Sequence, residues 1–172
     1  MKLDPIFKIV NNKLIFLETD TDAQFSAELS CTVKEFISDS FSALFPAKFL
    51  MVHFDQSEIE LDDDVYAEDI LAALREKLLL CDEAARYVVF VPHTSTPLST
   101  DAEIESFINT CNHTARRVKD CVSVAGFDLT ELLKKSPSSA DQFTETLAKK
   151  HAQYVYFAQS GAAPADSGYA VS

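Results

Sequence analysis

Hydrophobic and polar positions change their period several times along the chain, and the changes divide it into elements. FKIV-NN-KLIFLE, residues 7–18, reads as two short β-runs joined at Asn11–Asn12. Asparagine tolerates the positive φ angles of a two-residue turn, so this stretch predicts a hairpin. Phe25, Leu29, Val33, Phe36, Ile37 and Phe41 then recur at helical spacing and predict one long amphipathic helix. KFLMVHF (48–54), RYVVFV (86–91), VSVAGF (122–127) and QYVYFA (153–158) are apolar on both faces. Helical periodicity separates them. Ile70, Leu71, Leu74, Leu78 and Cys81 share a face in a helix from about Asp64. Ile104, Phe107, Ile108, Cys111, Ala115 and Val118 do so in a helix from about Asp101, and LTELLKK and ADQFTETLAKKH supply two more helices before the last strand.

Two-faced apolar strands alternating with helices imply a largely parallel sheet covered on both sides. The expectation is an α/β fold, a three-layer α/β/α sandwich with a mostly parallel sheet of about five to six strands and an N-terminal hairpin. Residues 1–160 form a single domain, with no internal repeat. The closing segment GAAPADSGYAVS, residues 161–172, is small and polar and predicts a flexible tail.

A chain of 172 residues, 47% hydrophobic and 24% charged, suits one well-buried core. No apolar run approaches the roughly 18–20 residues that span a bilayer, and MKLDPIFKIV lacks the pattern of a signal peptide. A cytoplasmic location is expected. Cys31, Cys81 and Cys111 fall on apolar helix faces and Cys121 opens a strand, which is the placing of packed free thiols. The net charge of -12 is concentrated early: up to Arg86 there are 18 acids against 8 bases. Residues 55–69 hold eight acidic side chains and no basic one. Such a field repels phosphate backbones and anionic lipid, so neither nucleic acid nor membrane is expected as a partner, whereas a protein with a basic surface is allowed. Arg116, Arg117 and Lys119 form a small basic group at the end of the third helix, where cations complement the helix dipole.

In a parallel sheet, ligands bind beyond the carboxyl ends of the strands. His53 and Asp55, spaced by two, point to the same side of their strand. His93 opens the loop PHTSTP, and Asp128 ends VSVAGFD. These four are the candidate binding residues, with Asp55 or Asp128 orienting a histidine as general base. No metal set completes around them, and no cofactor is expected, because G-x-G-x-x-G, G-x-x-x-x-G-K-[ST] and G-x-S-x-G are absent. A competing role is structural. Thr21 with Gln24, Thr100 with Glu103, Asp128 with Glu131 and Ser139 with Gln142 have the spacing of helix capping boxes.

Two family resemblances carry expectations of their own. YAEDILAALREKLLLCDEAARYVVFVPHT and TARRVKDCVSVAGFDLTE resemble the third and fourth strand units of a clan-A glycoside hydrolase barrel. That resemblance implies an acid/base glutamate after an asparagine at the end of the fourth strand, where this chain has Thr130 before Glu131. The layout from Phe7 to about Cys111 is similar to that of STAS domains, whose phosphorylatable serine would fall in LDDDVYAED, a stretch without serine. The caps favour a non-enzymatic protein-interaction or regulatory domain. The alternative is a small-molecule-binding enzyme, a hydrolase, with its site at the C-terminal edge of the sheet.

Overall fold

Asn11 and Asn12 both adopt positive φ, 51° and 60°, and close the expected hairpin between β1 (Phe7–Val10) and β2 (Lys13–Phe16). The computed structural model describes residues 3–135, 137–162 and 168–171. After the hairpin come β3 (Ser30–Thr32), α1 (Val33–Ile37), β4 (Phe49–Asp55) and α2 (Gln56–Ile59). A small ribbon, β5 (Glu60–Asp62) and β6 (Val65–Tyr66), leads into α3 (Glu68–Glu83) and β7 (Tyr87–His93). Next are α4 (Asp101–Arg117), β8 (Val124–Asp128), α5 (Thr130–Lys135) and α6 (Pro137–Lys150). The last strands are β9 (Val155–Ala158) and β10 (Tyr169–Val171).

Six strands form one wholly parallel sheet in the order β10-β9-β8-β7-β4-β3. The α/β class, the parallel sheet and the N-terminal hairpin are as the sequence indicates. Sequence order never reverses across this sheet, so right-handed crossovers send the helical connections over the same face. The buried side chains of all the helices accordingly share one core with Leu50, Val52 and Phe54 of β4 and Val88 and Phe90 of β7. The other face carries Phe49, Met51, Val89, Val91, Ala125, Val155 and Phe157, and these pack against Phe7 and Leu14 of the hairpin. The second covering layer is therefore the hairpin. Phe7 lies 4.9 Å from both Phe16 and Tyr87 and 5.9 Å from Phe49, ring centre to ring centre. A parallel sheet in consecutive order with helices on one side is the wall of a (β/α) barrel, here with a β-ribbon filling its inner face.

The long helix expected over residues 25–41 does not form. Its periodic residues belong to different cores: Phe25 packs on Phe49 and Phe157, while Val33 and Phe36 are buried on the helix side. Ser30, Cys31 and Thr32 pair with Met51, Val52 and His53 as an edge strand. A complete capping box of Thr32 with Glu35 then starts the helix only at Val33. Tertiary pairing overrides periodicity here. The inserted strand β3 also breaks the hairpin-then-helix order that resembled STAS domains.

Within the segment expected as a tail, Tyr169–Val171 is a strand. It pairs with β9, and the hairpin turn secures it, Asn12 Nδ2 donating to the Tyr169 carbonyl at 3.0 Å and the Val171 amide to the Asn12 carbonyl at 3.3 Å. Residues 163–167 and 172 of that segment lie outside the described residues. All four cysteines are free. Cys81, Cys111 and Cys121 are in the core, and Cys31 is half-buried on β3 instead of on a helix.

Candidate functional site

β4 and β7 are central neighbours in register, Asp55 opposite His93, so the carboxyl ends of the two strands finish level. That register brings His93 Nδ1 to 3.5 Å from Asp55 Oδ2. Ser95, two residues past the end of β7, donates its hydroxyl to the same Oδ2 at 2.5 Å. The other oxygen, Oδ1, accepts from the Ser57 amide at 3.0 Å and the Ser57 hydroxyl at 2.7 Å. Asp55 is only 9% exposed. Burial alone would raise its pKa, but the hydrogen bonds from Ser57 and Ser95 and the charge of His93 outweigh it and hold the carboxyl down at about 2. Asp55 is thus a fixed anion at any physiological pH.

His53 lies two residues before Asp55, on the hairpin side of β4 with Phe49 and Met51. Its ring is 6.4 Å from that of His93, centre to centre. Burial and the neighbouring His93 lower its pKa, against a smaller opposing pull from Asp128. His53 is neutral at pH 7 and able to accept a proton. The Asp128 carboxylate ends β8, the next strand over, and is buried at 2% exposure. Its Oδ1 accepts from the Thr130 amide at 2.9 Å.

The four candidates therefore gather on three adjacent strand ends, and two of them also satisfy helix amides. Asp55 forms a complete capping box with Glu58 at the start of α2, a pairing not anticipated from the sequence. Of the four boxes that were anticipated, Thr100 with Glu103 is complete. Asp128 binds the amide two residues on, in the manner of an Asx turn. Thr21 and Gln24 lie in a loop where Asp22 Oδ1 accepts from the Gln24 amide at 2.8 Å, and Ser139 falls inside α6, which begins at Pro137. Ser57 was missed altogether, although D-x-S at a strand end is the spacing of such a turn.

Beside the Asp55–Ser95 contact opens a cavity of about 560 Å³. Its walls are α2 and β5 on one side and the Thr94–Leu98 loop with the first turns of α4 on the other. Leu98 and Leu61 line it with apolar surface and Glu60, Asp62 and Asp63 with charge. Glu60 is tied back by Gln56, Ser106 and Thr110, whose side chains donate to its Oε2 at 2.6, 2.8 and 2.7 Å. Burial raises the pKa of Glu60, yet these bonds bring it below the ordinary value. Glu60 thus braces the cavity wall. Among the described residues, no group of three or more His, Cys, Asp and Glu side chains is arranged to hold a metal ion. No described helix is long and apolar enough to cross a membrane.

The two remaining histidines stand apart from this edge. His113 stacks on Tyr66 at 3.7 Å and meets Glu68 at 3.0 Å, while His151 is buried beside Tyr154.

No family model matches the chain, and no curated protein matches it either. Solved structures do. Over 91% of this chain and 52% of its own length, endo-glycoceramidase II from Rhodococcus sp., in a cellobiose-like isofagomine complex, is similar with a TM-score of 0.62 at 8% identity. The catalytic domain of Thermobifida fusca endoglucanase Cel5A, in complex with cellotetraose, also has a TM-score of 0.62, at 10% identity over 88% of this chain and 52% of that one. A GH5_18 protein from Bifidobacterium longum subsp. infantis has a TM-score of 0.51 at 11% identity, over 73% and 37%. The chain spans about half the length of the first two, and the likeness is one of fold. It agrees with the sheet order: β7 and β8, the segments resembling the third and fourth strand units of a clan-A barrel, are the third and fourth strands counted from β3. The pattern departs at Thr130, which is buried and accepts the Gln159 amide at 2.8 Å, linking the ends of β8 and β9.

Proposed function

We propose that this chain is a hydrolase of a small molecule, acting at the C-terminal edge of its parallel sheet. The observation that carries the reading is the contact of His93 with Asp55, the one of the four candidate residues that lines the 560 Å³ cavity. An ionised, immobilised aspartate beside Nδ1 holds a histidine in the tautomer whose Nε2 can take a proton from water. Ser95 keeps the aspartate in place, and His93 returns the proton it takes from water to the leaving group, while His53 stands neutral beside them.

The fold likeness to an endoglucanase and an endo-glycoceramidase supports the same reading and suggests a glycoside as substrate. It moves the weight away from the interaction module that the helix caps favoured. A glycosidase of the usual kind needs a carboxylic acid and a carboxylate across the bond. The carboxylate in contact with His93 is Asp55, held ionised, so a water-activating His–Asp pair is the chemistry assigned.

The test is turnover of a panel of 4-nitrophenyl glycosides and esters by the purified chain. At least one should be hydrolysed, and His93→Ala should lower kcat by about 10²–10⁴ with the melting temperature unchanged. Hydrolysis of no compound, or full activity in His93→Ala, would sink the assignment.

A further inference from the structure

A second recess lies on the helix side, where α4 and α6 run side by side, toward the N-terminal edge of the sheet and away from His93 and Asp55. It is a cavity of about 320 Å³, and its walls include Arg116, Asn109 and Asn112 of α4, Lys150 at the end of α6, and His151. His151 is 7% exposed, and its Nε2 is buried with no hydrogen-bond partner. A buried ring nitrogen without a partner is costly, and natural structures rarely leave one so. Burial first, then Lys119, Lys150 and Arg116, hold this imidazole below its ordinary pKa, so it is neutral at pH 7 and presents one N–H. The charges acting on it are all positive, in a chain whose net charge is -12.

Cations are expected at helix C-termini, but each helix end contributes only about half a negative charge. Arg116 and Lys150 line the recess, Asp64 stands on the wall opposite, and Lys119 acts on His151 from outside it. Two cations, a neutral buried donor and side-chain amides in one recess fit a compact anion.

We propose that this recess binds a phosphate dianion, free or as the head of a small phosphomonoester, between Arg116 and Lys150, with His151 Nε2–H completing its coordination. Asn109 and Asn112 are placed to meet the ester body. Asp64 and Tyr66, on the far wall, turn the neutral, hydroxyl-bearing part of such a molecule toward themselves. The site is independent of the hydrolytic one and does not rest on it.

The experiment is titration of the intact chain with inorganic phosphate and, separately, with glycerol 3-phosphate, followed by the ¹⁵N resonance of His151 Nε2. A saturable shift in the millimolar range or below is expected. Arg116→Gln and Lys150→Gln, both exposed and so harmless to folding, should each weaken binding about tenfold, while Lys135→Gln, outside the recess, should not. Tighter binding of glycerol 3-phosphate marks an ester as the ligand, and tighter binding of inorganic phosphate marks the free ion. The proposal is overturned if the His151 resonance does not move with either probe, or if Lys135→Gln weakens binding as much as the two recess variants.

Discussion

Replacing Asp55 by asparagine tests the electrostatics of the strand-end site without removing its shape. In the folded chain the carboxyl titrates at about 2 instead of the ordinary 3.8. Each pH unit of that difference is worth about 1.4 kcal/mol, so ionised Asp55 stabilises the fold by about 2 kcal/mol at pH 7. A depressed carboxylate pKa contributes stability that is complete above the unfolded value and disappears as pH falls through the folded one. The contribution should therefore be full at pH 5, near half at pH 3 and nearly gone at pH 2. Asparagine keeps one oxygen for the Ser57 amide but turns an N–H toward the Ser95 hydroxyl and carries no charge for His93. Urea unfolding of both proteins at pH 7, 5 and 3 should give a gap of about 2 kcal/mol that narrows to about 1 kcal/mol at pH 3. A gap that stayed constant across that range would show the loss to be one of shape. No gap at pH 7 would show that the hydrogen bonds do not bind the ionised form preferentially.

Two further outcomes follow from the packing. A methyl group added at Gly126 would lie 1.7 Å from the Val155 carbonyl oxygen on the adjacent strand. Gly126→Ala must push β9 away, and should cost more than the roughly 1–3 kcal/mol of ordinary overpacking; denaturant melting with a loss under about 1 kcal/mol would contradict this. The thiols of Cys81 and Cys121 are 0% exposed and pushed up to about 11 and about 12, and Cys111 is likewise raised by burial. A disulfide reagent at pH 8 should leave these three unmodified until denaturant is added, and rapid native labelling of any of them would refute their placement.

Most of the framework is legible in the chain, for a physical reason. Strands buried on both faces cannot hide their composition, and β4, β7, β8 and β9 emerge from runs such as YVVFV and VYFA. Helices α3 and α4 follow from one-sided periodicity, and the Asn-Asn hairpin from turn chemistry. The stretch from Phe25 to Phe41 was misleading because apolar residues serving two different cores happened to fall at helical intervals. The Thr32–Glu35 box, the true start signal, stands inside it. At the site, residue spacing is enough to align His53 with Asp55 on one side of a strand. What it does not carry is register. Only the pairing of Asp55 opposite His93 makes a contact out of residues 38 positions apart. The recess between α4 and α6 was less visible still, since Arg116 meets Lys150 and His151 only through helix packing.

The N-terminal ribbon has an effect beyond closing the core. Directly beneath His53 and Asp128, on the same face of the sheet, lies a floor of Met51, Val91 and Phe157, backed by Phe25 and the rings of the hairpin. Such a floor is apolar and buried, so it does little to damp charges from below. Fields among the imidazoles and carboxylates above it are thus screened from one direction only, by whatever occupies the mouth of the site. Displacing solvent there would strengthen every one of those interactions at once, so the hairpin sets how strongly the strand-end groups respond to being covered.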